Sequence, residues 1–117
     1  MQFSNHTGYP DWQGEVFAAE RIAGVLAGLE ARGAFARCDA LLTGYVGDPG
    51  LGAVILDAAA RIRAANPKAL WTCDPVMGDH GKGLFVREGI PAFFSERALP
   101  AADVVTPNLF ELERLTG

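Results

Sequence analysis

A chain of 117 residues, half of them hydrophobic and about a fifth charged, has the balance of a folded globular protein, which excludes a disordered or fibrous chain. Its net charge of −4 comes without any block of like charges, so no basic track for nucleic acid or an anionic membrane is present and a small molecule is the expected partner. No apolar stretch approaches bilayer length, and Met1-Gln2-Phe3-Ser4-Asn5-His6 lacks a basic, then apolar, leader profile, so a cytoplasmic protein is expected.

In chain order, a short apolar start leads into Asn5-His6-Thr7-Gly8-Tyr9-Pro10-Asp11-Trp12-Gln13-Gly14, a stretch of turn chemistry. From Ala18 to Arg32, Ile22, Val25, Leu26 and Leu29 recur at helical spacing and predict one face turned to a core, with Arg32-Gly33 as the stop. Asp39 to Tyr45 is a short apolar run that predicts a buried strand ending near Thr43. A second helix follows, carrying Leu51, Val54, Ile55, Ala58 and Ile62 on one stripe and closing at Asn66-Pro67, because proline disfavours helix at the residue before it.

Ala69 to Asp74 predicts another strand, which breaks into a long glycine-rich loop from Pro75 to Gly83. Gly89 to Leu99 reads as helix, Ala102 to Thr106 as a third strand closed by Pro107, and Leu109 to Leu115 as a last helix capped by Asn108. Strands alternating with helices imply right-handed crossovers and a parallel sheet covered on both faces, a three-layer α/β/α architecture. No repeat or linker divides the chain, so residues 1–117 are expected to belong to a single domain. Cys38 and Cys73 have neither metal spacing nor a disulfide framework and read as two buried thiols.

Open parallel sheets bind ligands beyond the carboxyl ends of their strands, where loops and helix N-termini converge. Thr43-Gly44-Tyr45, Asp74-Pro75 and Thr106-Pro107-Asn108 each lie where a predicted strand ends, so three separated segments deliver polar groups to one edge. Asp74 and Asp79, separated by a glycine-containing turn, have two open readings: a carboxylate pair for a hydrated magnesium ion and its phosphates, or a turn cap and a solvated acid. Glu111 and Glu113 sit in the first turn or so of the last helix, where the helix dipole already favours a carboxylate, so a capping or solvated role is expected of either alone; the position of Glu111 beside Asn108, at the same edge as Asp74, favours a site role for it. Gly78 to Gly83 could approach phosphates through its backbone, but Lys82 is followed by Gly83, so it is not a Walker A loop. His6 and His80 form no metal-binding pair, and Tyr9 and Trp12 are open to stacking on a heterocycle or to surface packing.

Asn5-His6-Thr7-Gly8-Tyr9, Leu42-Thr43-Gly44-Tyr45, Cys73-Asp74-Pro75-Val76-Met77-Gly78-Asp79 and Thr106-Pro107-Asn108-Leu109-Phe110-Glu111-Leu112-Glu113 resemble, in order and spacing, the pyridoxal kinases of the ribokinase superfamily. The resemblance implies a ribokinase-like fold and ATP-dependent phosphorylation of the 5′-hydroxymethyl group of pyridoxal. It implies that Thr7 and Gly8 touch the vitamin and that Tyr45 lies against its ring. It places Asp74 and Glu111 at the metal and the ATP phosphates, Asp79 at a magnesium or monovalent cation such as K+, and Thr106 and Asn108 along the phosphate side, with Asn108 also among the metal-site residues. ATP is the implied co-substrate, Mg2+ the implied metal and a homodimer the implied assembly.

The family's proteins are much longer, and the Gly-rich segment that holds their catalytic base Asp has no counterpart here, so no acid of this chain is assigned as the base. The expectation is a segment of a pyridoxal kinase with very low activity alone. A hydroxymethylpyrimidine kinase segment and a noncatalytic α/β ligand-binding or partner module are the alternatives.

Overall fold

The computed structural model describes residues 2–4 and 9–117. Strand β1 (Gln2–Ser4) pairs antiparallel with β2 (Gly14–Val16), a ribbon where sequence alone suggested a start and a loop. Helix α1 (Ala19–Ala31) ends at Arg32 and Gly33, whose φ of 72° lies in the left-handed region that glycine enters without a Cβ clash. Strand β3 (Ala40–Thr43), helix α2 (Leu51–Ala65) and strand β4 (Leu70–Cys73) follow within a residue or two of their expected bounds. Asn66 closes α2 in an extended conformation, as the proline after it requires, and its side-chain amide donates to the Cys38 carbonyl at 3.1 Å.

The glycine-rich loop contains a small antiparallel ribbon, β5 (Gly78–Asp79) with β6 (Gly83–Leu84), which corrects the expectation of an irregular loop. Two-residue strands carry no alternation for a sequence reading to detect. The next helix is divided: α3 (Ile90–Phe93) continues into a widened π turn over Phe94–Ala98. Strand β7 (Val104–Val105) and helix α4 (Leu109–Thr116) complete the series.

The main sheet has the order β3-β4-β7 with both pairings parallel, so each strand lies beside its predecessor. Two right-handed crossovers running in one direction put their helices on the same face. Accordingly Leu41, Trp71 and Cys73 pack against Leu51 and Ala59 of α2, Ile90 of α3, and Phe94 and Ala98 of the π turn. Each large side chain fully removed from water here contributes on the order of 2 kcal/mol. The α/β class and the parallel sheet are as expected. The opposite face presents Leu42, Leu70 and Val104 at 73%, 53% and 44% exposure.

Helix α1 also departs from its expected role as a core helix. No residue of it is fully buried, and Val25 and Leu29 lie in solvent. It packs beside α2, and Ala19, Ile22 and Leu26 are its residues that reach the core clusters. An Arg61 to Glu30 ion pair joins α1 to α2 at the surface. Of the two thiols, Cys73 is buried, whereas Cys38 is only partly covered and donates to the Ala40 carbonyl.

Candidate functional site

The three parallel strands end level with one another. Thr43 pairs with Cys73 and Cys73 with Val105, so the segments that follow leave the sheet side by side. Two backbone bonds extend the ladder past the strand ends, from Asp74 N–H to the Thr43 carbonyl at 2.8 Å and from Thr106 N–H to the Cys73 carbonyl at 3.1 Å. Tyr45, Asp74 and Asn108 therefore follow neighbouring strands at the carboxyl edge of the sheet, the place where parallel α/β folds gather ligands.

On the β7 side the site is closed by hydrogen bonds. The Asn108 side chain accepts from Glu111 N–H at 2.9 Å, and Glu111 Oε2 accepts from Asn108 N–H at 2.9 Å, a reciprocal capping box. The other Glu111 oxygen accepts from the Met77 backbone N–H at 3.0 Å, and Asn108 Nδ2 donates to the Gly78 carbonyl at 2.9 Å. With 3% exposure, Glu111 is the buried charged residue among the described residues, and both of its oxygens are engaged by backbone donors. Gly78 fits because it has no side chain: a Cβ there would meet the Phe110 ring and stand 2.6 Å from the Gly83 carbonyl oxygen. Asn108 is thus the N-cap the sequence predicts. The long-range bond to Met77 was invisible in sequence, since the partners lie 34 residues apart.

Asp74 is half-buried at the end of β4. Burial, and then the nearby Glu111 charge, push its carboxyl above the usual carboxylate range, and a hydrogen bond with the Thr106 side chain pulls the other way. Asp79 is exposed, and its Oδ1 accepts from His80 N–H at 2.7 Å. Asp74, Asp79, Asn108 and Glu111 do not form one ligand cluster: among the described residues no group of three or more His, Cys, Asp or Glu side chains is arranged to hold a metal ion. The pairing that does occur is Asp74 with Glu111.

On the β3 side the edge opens into a cleft of about 1000 Å³. Tyr45, Trp12, Val76, Lys82 and Phe85 are among its walls, so Trp12 faces the cleft and Tyr9 is not in its lining. Beneath it, buried Trp71 donates from its indole N–H to the Thr43 hydroxyl at 2.9 Å, which ties the start of the Tyr45 loop to the core. Thr43 also hydrogen-bonds the Cys73 thiol, whose pKa is pushed up chiefly by burial. Trp71 was missed as a supporting residue because it reads as one more apolar strand residue. The signal was its indole donor, which a buried tryptophan must satisfy. Thr7 and Gly8, the other expected vitamin contacts, lie outside the described residues.

The phosphomethylpyrimidine kinase family model matches residues 23–117, and the chain, with its parallel α/β sheet, belongs to this kinase family. Among curated relatives, a pyridoxal kinase PdxY of Rubrobacter xylanophilus is 61% identical over the whole chain, which covers 40% of that protein. One from Granulibacter bethesdensis is 57% identical, with 41% of it covered. Among solved structures, a pyridoxal kinase from Leishmania donovani in complex with ADP and pyridoxamine superimposes with a TM-score of 0.86 at 35% identity, over 95% of this chain and 39% of that one. The chain therefore spans about two fifths of the length of the relatives it matches.

Proposed function

We propose that this chain supplies the vitamin side and the metal-phosphate side of an ATP-dependent pyridoxal kinase, within one ribokinase-like domain. The whole protein would transfer the γ-phosphoryl group of ATP to the 5′-hydroxymethyl group of pyridoxal, giving pyridoxal 5′-phosphate. The observation that carries this reading is the level ending of three parallel strands, which brings Tyr45, Asp74 and Asn108 to one edge. Relatives named as pyridoxal kinases at 57% and 61% identity, and a solved relative holding ADP and pyridoxamine, support the substrate class.

Phosphoryl transfer demands positioning and charge neutralisation more than covalent chemistry from the protein. Magnesium fits the residues present: Asp74 is partly desolvated beside the Glu111 charge, an arrangement that a nearby cation would relieve. One or two carboxylates suffice for magnesium, which keeps several waters and takes its other ligands from phosphates. In this reading Asp74 holds the metal, Glu111 and Asn108 reach it through water while fixing the Met77-Gly78 backbone, and Thr106 lines the phosphate path. Asp79 offers its second oxygen to a hydrated cation such as K+. When bound, the metal shields the charge of the phosphates. Tyr45 lies against the vitamin ring, and Thr7 and Gly8 contact the vitamin on the strength of the resemblance. A homodimer in the cytoplasm completes the proposal.

The test is a chimera in which this chain replaces the corresponding segment of the Rubrobacter relative, assayed with ATP, magnesium and either pyridoxal or hydroxymethylpyrimidine. Phosphorylation of pyridoxal, and its loss in an Asp74→Asn chimera, is the expected result. A folded chimera without pyridoxal turnover ends the reading. Turnover of hydroxymethylpyrimidine in preference would favour the second reading, which the matched family's own description supports.

A further inference from the structure

The chain contains two lysines, and the fold puts them in opposite surroundings. Lys68 lies in the bend that enters β4, at the far end of that strand from Asp74, with its backbone N–H on the Asn66 side chain. Lys82 sits in the turn between β5 and β6, where its backbone N–H donates to the Asp79 carbonyl at 3.1 Å, and it is among the residues that line the cleft with Tyr45 and Phe85. That turn is anchored on both sides: Asn108 Nδ2 holds the Gly78 carbonyl, and Phe85 N–H donates to the Met77 carbonyl at 3.1 Å. Lys82 takes part in no ion pair among the described residues, so no carboxylate holds its amine away from the cleft.

Pyridoxal carries an aldehyde next to the hydroxymethyl group that is to be phosphorylated. In water the two close on each other as a cyclic hemiacetal, which ties up the acceptor oxygen. We propose that Lys82 is a covalent contact for the aldehyde: its amine condenses reversibly with that carbon and thereby keeps the 5′-hydroxyl free. The inference rests on the vitamin-binding reading above.

The neutral amine lone pair adds to the carbonyl carbon as the carbonyl π pair moves to oxygen. Proton transfer from nitrogen to oxygen gives a carbinolamine. Loss of that hydroxyl as water leaves a carbon–nitrogen double bond. The sum is amine plus aldehyde to imine plus water, with no redox change. Pyridoxine, with an alcohol at that carbon, and pyridoxamine, with an amine, cannot take this step, so Lys82 separates the aldehyde form of the vitamin from the other two. The same link would hold the product, which keeps the aldehyde, until hydrolysis releases it.

The experiment incubates the 117-residue chain with substoichiometric pyridoxal, reduces with borohydride, and maps the modified peptides by mass, with and without excess pyridoxine. Pyridoxine binding is measured separately by equilibrium dialysis. The expected result is labelling of Lys82 over Lys68 by about tenfold or more, suppressed by pyridoxine and lost in Lys82→Arg, which leaves the circular dichroism unchanged. Pyridoxine binding without preferential labelling of Lys82 overturns the covalent step and leaves the vitamin site standing. Equal labelling of both lysines, or labelling that pyridoxine does not reduce, overturns it as surface reactivity. Failure of both binding and labelling overturns the vitamin-site reading and this inference together.

Discussion

The two sides of the carboxyl edge are built on opposite plans. Toward β7, a buried glutamate, a capping asparagine and two backbone segments are locked by four hydrogen bonds of 2.9 to 3.0 Å, and a ring fills the space a glycine leaves. Toward β3, Tyr45 and Lys82 border an open cleft, and the Tyr45 loop starts from a Thr43 held by the buried Trp71 indole. The difference teaches where rigidity is needed. Groups that neutralise charge in phosphoryl transfer act best when they do not have to move, whereas a cleft for a flat ring has to admit it.

The sharpest way to break this contrast is Glu111→Ala. It leaves the buried Met77 N–H without an acceptor and strips the capping partner from the more open Asn108 N–H, and the expected loss is about 3 kcal/mol in urea unfolding. An unchanged midpoint would mean that the closed side contributes nothing to stability. Next comes Gly78→Ala, which forces a Cβ against Phe110 and the Gly83 carbonyl and should cost about 2 kcal/mol by the same measurement.

Thr43→Val probes the contact under the open side. It orphans the Trp71 indole N–H at an expected cost of about 1.5 kcal/mol, while Thr43→Ser keeps the acceptor and should lie close to wild type. Tyr45→Ala should leave the urea midpoint in place and weaken pyridoxine binding about tenfold in equilibrium dialysis. Equal effects of this change on stability and binding would erase the distinction between the two sides.

The smallest effect lies outside the cleft and serves as a control. Asp103 accepts from the Trp71 backbone N–H at 2.7 Å and from Arg63 at 2.6 Å, and these bonds hold its carboxyl below the usual carboxylate range. A depressed carboxylate contributes stability above its unfolded-state pKa and loses it as pH falls through the folded value. Asp103→Asn should therefore flatten the acid limb of the stability profile below the ordinary aspartate range and leave pyridoxine binding unchanged at neutral pH.

Much of the framework was legible because it rests on local pattern. The stripe from Leu51 to Ile62, the stop at Asn66-Pro67 and the cap at Asn108 announce themselves within a few residues. The features that were missed depend on distant partners or on very short elements. Glu111 looks like an ordinary first-turn acid until Met77 is folded onto it, and β5 and β6 are too short to alternate. The α1 stripe was over-read because spacing shows which residues share a face, not whether anything covers that face. The same holds for Leu42, Leu70 and Val104, which read as buried strand residues and lie on the open face of the sheet.

The order β3-β4-β7 has a consequence for how the molecule comes together. Among the described residues, each strand of the main sheet docks beside the sheet strand that precedes it in the chain, so the three pair in the order in which they are made. Ribosomal synthesis can therefore add the sheet one βαβ step at a time, with Asp74 joining Thr43 before the segment bearing Asn108 has emerged.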